Sequence, residues 1–218
     1  MEMKTFDRKS LDLNLVEAGL KAANATFVTE IAMLQRQIDP LISAMPKIFE
    51  ILASNQGRLI ISGIGKSGHI GKKIAATLSS TGTPSFFIHS TEALHGDAGM
   101  VMQGDVVILI SNSGNTAEVV RFAEVLKHLR IPIISITSSA ESKLAKSSDV
   151  VIKLAMAKEG DPLNVAPMAS TTATLVIGDA IASALMVLRS FTKDEFAVFH
   201  VSGSLGAALG ADDIVKGK

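Results

Sequence analysis

Short, nearly unbroken apolar runs recur along this chain, and five of them predict strands: residues 58–62, 85–88, 106–111, 131–137 and 149–154. They lack the apolar–polar alternation of a half-exposed strand, so burial on both faces is expected. Between them, apolar residues return at helical spacing over 69–80, 117–129 and 142–147. A longer helical region covers about 10–53, with a break at Pro40, and another helix covers about 170–189. Asn55-Gln56-Gly57 and Thr81-Gly82-Thr83-Pro84 read as turns. Thr192-Lys193-Asp194-Glu195 has the pattern of a capping box that opens one more short helix.

Strands alternating with helices predict an α/β fold whose parallel sheet is covered on both faces. Two segments resist assignment, 89–102 and 155–168. The second is long and polar for a compact domain, which favours a functional loop. Without repeats, linkers or low-complexity segments, residues 1–218 read as one domain, with a helical N-terminal part at 10–54 and an α/β core at 58–206.

Composition narrows the possible partners. Lys plus Arg and Asp plus Glu both number 21, so no net field draws the chain to nucleic acid or an anionic bilayer. With no Trp and no Tyr there is little on which to stack bases. The lack of Cys excludes disulfides, thiolate metal sites and a cysteine nucleophile. The charged start, Met1-Glu2-Met3-Lys4, has no signal-peptide core. The most apolar stretch, 171–188, carries Asp179 at its middle. A carboxylate at a bilayer centre costs about 2.5–3.5 kcal/mol, so this stretch reads as a buried helix, and a soluble cytoplasmic protein is expected.

Two loops carry the candidate chemistry. Gly63-Ile64-Gly65-Lys66-Ser67-Gly68 follows the first predicted strand, and Ser111-Asn112-Ser113-Gly114-Asn115-Thr116 follows the third. A strand–loop–helix of this composition aims backbone N–H groups at one spot, where the helix dipole favours an anion. The first loop fits a dinucleotide fingerprint, but the next strand ends Ile88-His89-Ser90 without the ribose-binding acid. A nucleotide P-loop needs glycine where Ile60 stands. No cofactor is expected. In the second loop Ser111, Ser113 and Thr116 offer three hydroxyls where a helix cap needs one, so a phosphate cradle is expected, with Asn112 beside it. The first loop then brings Gly65, Lys66 and Ser67 to the body of a phosphorylated small molecule.

Other polar residues are less decisive. Glu118 serves either the reaction or the helix dipole. His89, Glu92, His95 and Asp97 crowd one loop, but their spacing matches no metal-ligand pattern. A polar active-site loop without metal is expected there. Lys158-Glu159 gains interest from the hydroxyls of Ser170, Thr171 and Thr172 at the next helix start. Nothing local raises His200 above a surface histidine.

Taken together, these segments resemble the sugar isomerase (SIS) domain family, and within it the arabinose-5-phosphate isomerase branch of KpsF/GutQ type. The resemblance rests on Gly63–Lys73, Ser80–Phe87, Glu92-Ala93-Leu94-His95-Gly96-Asp97, Ser111-Asn112-Ser113-Gly114, Ala166-Pro167 with Ser170-Thr171-Thr172, Gly178-Asp179-Ala180, Phe191 and Phe196-Ala197. It implies a three-layer α-β-α sandwich around a five-stranded parallel sheet, a homotetramer with shared active sites, and interconversion of D-ribulose 5-phosphate and D-arabinose 5-phosphate that feeds Kdo synthesis. It also implies functional weight on Lys66, Glu118, Glu159, His200 and His95. A base such as Glu159 or Glu118 would move a proton between C1 and C2, with polar groups stabilising the enediolate.

The departures from this branch are specific. The usual Lys-Glu-Ala-Cys-Pro-Leu reads Lys158-Glu159-Gly160-Asp161-Pro162-Leu163, and His200-Val201-Ser202-Gly203 replaces His-Pro-Gly-Gly. The paired CBS module that commonly follows the SIS domain is not expected within 1–218. Alternative readings are another sugar-phosphate isomerase and a non-catalytic sugar-phosphate sensor. The sensor usually carries a DNA-binding helix, and the first ~50 residues show no basic recognition helix.

Overall fold

A computed structural model describes residues 12–215; the charged N-terminus and the expected helix start near residue 10 lie outside them. Two long helices lead the chain, α1 (Leu13–Gln35) and α2 (Ile38–Ser54). The break between them falls at Arg36-Gln37, ahead of Pro40. Pro40 lies in the first turn of α2, where its missing N–H costs no helical bond.

The core then alternates: β1 (Leu59–Gly63), α3 (Gly65–Ser80), β2 (Ser85–His89), α4 (Ser90–Ala93), β3 (Val106–Ile110), α5 (Ala117–His128), β4 (Ile133–Thr137), α6 (Lys143–Ser147) and β5 (Val150–Lys153). It continues into α7 (Ala169–Leu188), α8 (Lys193–Val198), α9 (Gly203–Ala208) and α10 (Ala211–Val215). The expected irregular stretch after β2 holds α4 and a 3-10 turn at Asp97–Met100. The capping box of α8 forms as read, with Thr192 and Glu195 bonded reciprocally.

All five strands pair in parallel, in the order β2-β1-β3-β4-β5. β1, β3 and β4 are buried at every position, which explains their unbroken apolar runs. Alternate residues feed two cores. Leu59, Ile61, Ile108, Ile110 and Ile136 pack under α2, α3 and α7. Ile60, Val107, Leu109 and Ile133 pack against Phe122 and Leu126 of α5 and Leu144 of α6. Each such side chain contributes roughly 2 kcal/mol by leaving water.

Among the described residues, α7 is the one helix long and apolar enough to cross a membrane. Here it is a packed helix, with Ala173, Ile177, Ile181 and Leu185 buried in the core. It approaches α3 so closely that a Cβ on Gly178 would overlap Ile74. Asp179, the odd carboxylate of this stretch, pairs with Lys73 of α3.

At the N-terminal edge of the sheet Asp105 is 2% exposed and accepts bonds from the Arg58 backbone and guanidinium and from Met102 N–H. Burial pushes its carboxyl up, but the Arg58 guanidinium and these N–H groups outweigh that and hold it below the ordinary carboxylate value.

Candidate active site

The order 2-1-3 places a topological switch between β1 and β3, and in open α/β sheets ligands bind beyond the strand C-termini at such a point. A cavity of about 390 Å³ lies there, lined by Ile64, Gly65, Lys66, Ser67, Ile110, Ser111, Asn112, Ser113, Thr116, Val119, Pro167 and Ser170. Residues from both glycine- and serine-rich loops, and from the start of α7, thus face one space.

Three helix N-termini open onto it. The first turns of α3 and α5 receive no side-chain cap from Ile64 or Thr116, so their leading N–H groups are left for other acceptors. α3 starts at Gly65, four residues earlier than its periodicity indicates, because Gly65 takes a positive φ of 58° at the turn out of β1. The Thr116 hydroxyl turns instead toward Ser111 Oγ, 3.0 Å away. Ser111 Oγ also accepts Gly114 N–H at 3.1 Å. Gly114, with φ of 64°, lies so close to Ser142 and Thr137 that a Cβ would overlap both. The Asn112 carbonyl accepts the hydroxyls of Thr137 and Ser138 at 3.1 and 2.7 Å. The serine loop is therefore fastened to the end of β4 before any ligand arrives.

Two buried polar atoms are left unpaired at the cavity. Ser170 is 3% exposed and its Oγ has no partner among the described residues, and neither has Asn112 Oδ1. An orphan hydroxyl in a buried position costs free energy unless a ligand or water satisfies it. Lys66 is exposed at the rim and has no ion-pair partner among the described residues.

The remaining sequence candidates lie around this space and do not line it. Glu159 is half-buried, and its Oε2 accepts the N–H groups of Met168 (3.0 Å) and Ser170 (3.1 Å), capping α7 from nine residues upstream. Its own N–H donates to Asn164 Oδ1 at 2.7 Å. Asp161 accepts the N–H groups of Leu163, Val165 and Ala166 and so shapes the loop between Glu159 and Pro167. Desolvation pushes the Asp161 carboxyl up, but those N–H groups and its own backbone N–H prevail and hold it below the ordinary carboxylate value. Thr171 spends its hydroxyl on the Pro167 and Met168 carbonyls. Glu118 and His95 are exposed. His200 is half-buried, its ring stacked on Phe196 at 3.9 Å and its Nδ1 2.8 Å from the Phe196 carbonyl. Among the described residues no cluster of three or more His, Asp or Glu is arranged to hold a metal.

The apolar wall of Ile64, Ile110 and Val119 had no separate signal in the sequence, because the same residues read as strand and helix core. Nor had Asn164, whose positive φ of 56° and bond to Glu159 become visible only in the folded loop.

A family model described as SIS domain matches residues 52–184. Arabinose 5-phosphate isomerase KdsD of Pseudomonas aeruginosa is 53% identical over 163 residues, which is 75% of this chain and 50% of that protein. The protein of the same name from Francisella tularensis is 50% identical over 187 residues, 84% of this chain and 57% of that protein. The chain thus spans about half the length of these curated relatives. A solved structure of an E. coli CFT073 protein in complex with arabinose 5-phosphate is 43% identical with a TM-score of 0.80, covering 87% of this chain and 100% of that one.

Proposed function

The chain belongs to the SIS domain family, and from that premise we propose that it interconverts D-ribulose 5-phosphate and D-arabinose 5-phosphate through an enediol. The observation that carries this reading is the convergence of the uncapped N-termini of α3 and α5 and an unpaired, buried Ser170 hydroxyl on one cavity. Donors without acceptors, concentrated at one spot, suit a phosphate dianion. The relatives named for arabinose 5-phosphate, and the solved complex with that sugar phosphate, supply the pentose.

In this reading the phosphate rests on Ser111, Asn112, Ser113 and Thr116 and the first turn of α5, with Ser170 closing it from α7; Thr171 spends its hydroxyl on the Pro167 and Met168 carbonyls and supports that turn. Gly65, Lys66 and Ser67 meet the other end of the sugar. From the ketose, a base takes a proton from C1 while O2 gains one, giving the enediol. Return of a proton to C2 and loss of the O1 proton leave the aldehyde. Glu159 is the proposed base: Oε2 is held by two amides, which fixes the carboxylate and leaves Oε1 for the proton. Glu118 positions the substrate. Lys66 stabilises charge on the enediolate oxygen, and His200 or His95 moves protons between hydroxyls or opens the ring.

Glu118, Glu159, His200 and His95 do not line the cavity themselves, and the reading includes a homotetramer with shared active sites. The apolar stripe Leu13, Val16, Leu20, Phe27 and Ile31 on α1 is exposed at helical spacing and is the proposed contact between copies. A cytoplasmic enzyme supplying arabinose 5-phosphate for Kdo, and so for lipopolysaccharide or capsule, completes the reading. Incubation of the purified protein with ribulose 5-phosphate, followed by NMR, tests it: arabinose 5-phosphate is expected. Turnover of a different ketose phosphate instead would reassign the substrate, and binding without turnover would indicate a sensor.

A further inference from the structure

We infer that Thr26 and Glu30, one turn apart on α1, are positioning residues that set the place of the Glu159 carboxylate; this rests on the isomerase reading above. The segment 155–168 has no helix or strand of its own; Asp161 and Asn164 satisfy part of its backbone from within, and the rest needs outside partners. One face of α1 and the α1–α2 joint tie this segment and the first turn of α7 in series. Thr26 Oγ1 donates to the Gly160 carbonyl at 2.6 Å. Glu30 Oε2 accepts the Thr172 hydroxyl at 2.9 Å. Met33 Sδ accepts Ala157 N–H at 3.4 Å, and Gln37 Oε1 accepts Ala155 N–H at 2.9 Å.

The two upper bonds bracket Glu159. Thr26 holds the carbonyl of the very next residue, and Glu30 holds the first turn of α7, the helix whose Met168 and Ser170 amides Glu159 caps. The carboxylate is therefore fixed at its backbone and at its oxygen by groups that both report to one turn of α1. Gly160 makes the contact close: a Cβ there would stand 3.0 Å from Thr26 Cγ2. None of these residues other than Ser170 lines the cavity, so Thr26 and Glu30 act through Glu159 and not on the phosphate.

A seam that merely stabilises the fold would give a different pattern from one that aims a base. Misplacement of a reacting group by about 1 Å can cost on the order of 100-fold in rate. With ribulose 5-phosphate, Thr26→Val and Glu30→Ala are each expected to lower kcat by about tenfold or more while KM stays within about threefold. Thr26→Ser and Glu30→Gln, which keep the donor and the acceptor, are expected to restore kcat. Unchanged kcat in Thr26→Val and Glu30→Ala, or equal losses in the conservative pair, would overturn the proposal.

Amide hydrogen exchange on the same proteins separates this from the isomerase reading. Thr26→Val is expected to speed exchange in 157–170 by about tenfold while β1, β3 and β4 stay protected. If the unmodified protein turns over no pentose phosphate, the isomerase reading fails and exchange alone decides the positioning. Unchanged exchange in 157–170, or equal loss of protection in the sheet, would then overturn it.

Discussion

The Ser111 hydroxyl lies 3.0 Å from that of Thr116, so the residue at the N-cap of α5 is turned across its loop and not onto its own helix. A capping threonine removed to alanine costs about 1 kcal/mol of stability. Thr116 makes no such bond, but its removal leaves the buried Ser111 hydroxyl without this partner, so Thr116→Ala is expected to cost about 0.5–1.5 kcal/mol of unfolding free energy. In the proposed reading the same substitution removes a phosphate contact, and it is expected to raise KM for the sugar phosphate about tenfold. Urea unfolding and steady-state kinetics on one preparation check both halves.

The Glu159 side chain combines a structural bond with a free oxygen. Glutamine at this position keeps an oxygen for the Met168 and Ser170 amides but cannot take a proton. Glu159→Gln is therefore expected to fold normally and to lose about 10²–10⁴-fold in turnover, together with solvent exchange at C2. Glu118→Gln is expected to keep measurable exchange. Loss of exchange in Glu118→Gln alone would exchange the two roles.

Acid stability follows from Asp105. Its folded carboxyl is held below the ordinary value, so the unfolded chain binds a proton first as pH falls. The contribution is complete above the unfolded pKa of about 3.9 and is lost as pH drops through the lower, folded value. Asp105→Ala leaves Arg58 and Met102 N–H groups without their acceptor and is expected to cost about 3 kcal/mol at neutral pH. Its unfolding free energy should also vary less between pH 5 and pH 3 than that of the parent, as denaturant titrations at each pH would report.

Phe27 is 72% exposed within the α1 stripe. A charge there should disfavour any contact between copies while leaving the core untouched. Phe27→Asp is expected to reduce the mass measured by light scattering to that of a smaller species, with loss of activity if the sites are shared. An unchanged mass would place the contact elsewhere.

Some of this was legible along the chain because it is local. Ile60, Val107 and Leu109 stand in runs without polar interruption, and such runs belong to strands buried on both faces. Ser111, Thr116 and Lys66 sit directly after those runs, where strand ends meet helix starts, so their place at the C-terminal ends of strands was legible; that they share one cavity depends on β1 and β3 being neighbours in the sheet. The start of α3 at Gly65 was hidden because a helix N-terminus rich in glycine carries little periodicity. The bonds from Thr26 to Gly160 and from Glu30 to Thr172 cross 134 and 142 residues, and no short pattern announces such a pair. Glu159 as a cap was equally invisible, since caps are normally sought at the residue before the helix and here that residue is Met168.

The most direct test is the crystal structure of this protein with arabinose 5-phosphate bound. The phosphate is expected within hydrogen-bond reach of Ser111, Ser113, Thr116 and Ser170 and of the leading amides of α5, with C1 and C2 toward Lys66 and Glu159. A phosphate seated on the Gly63–Gly68 turn, or a sugar bound away from the β1–β3 switch point, would contradict it.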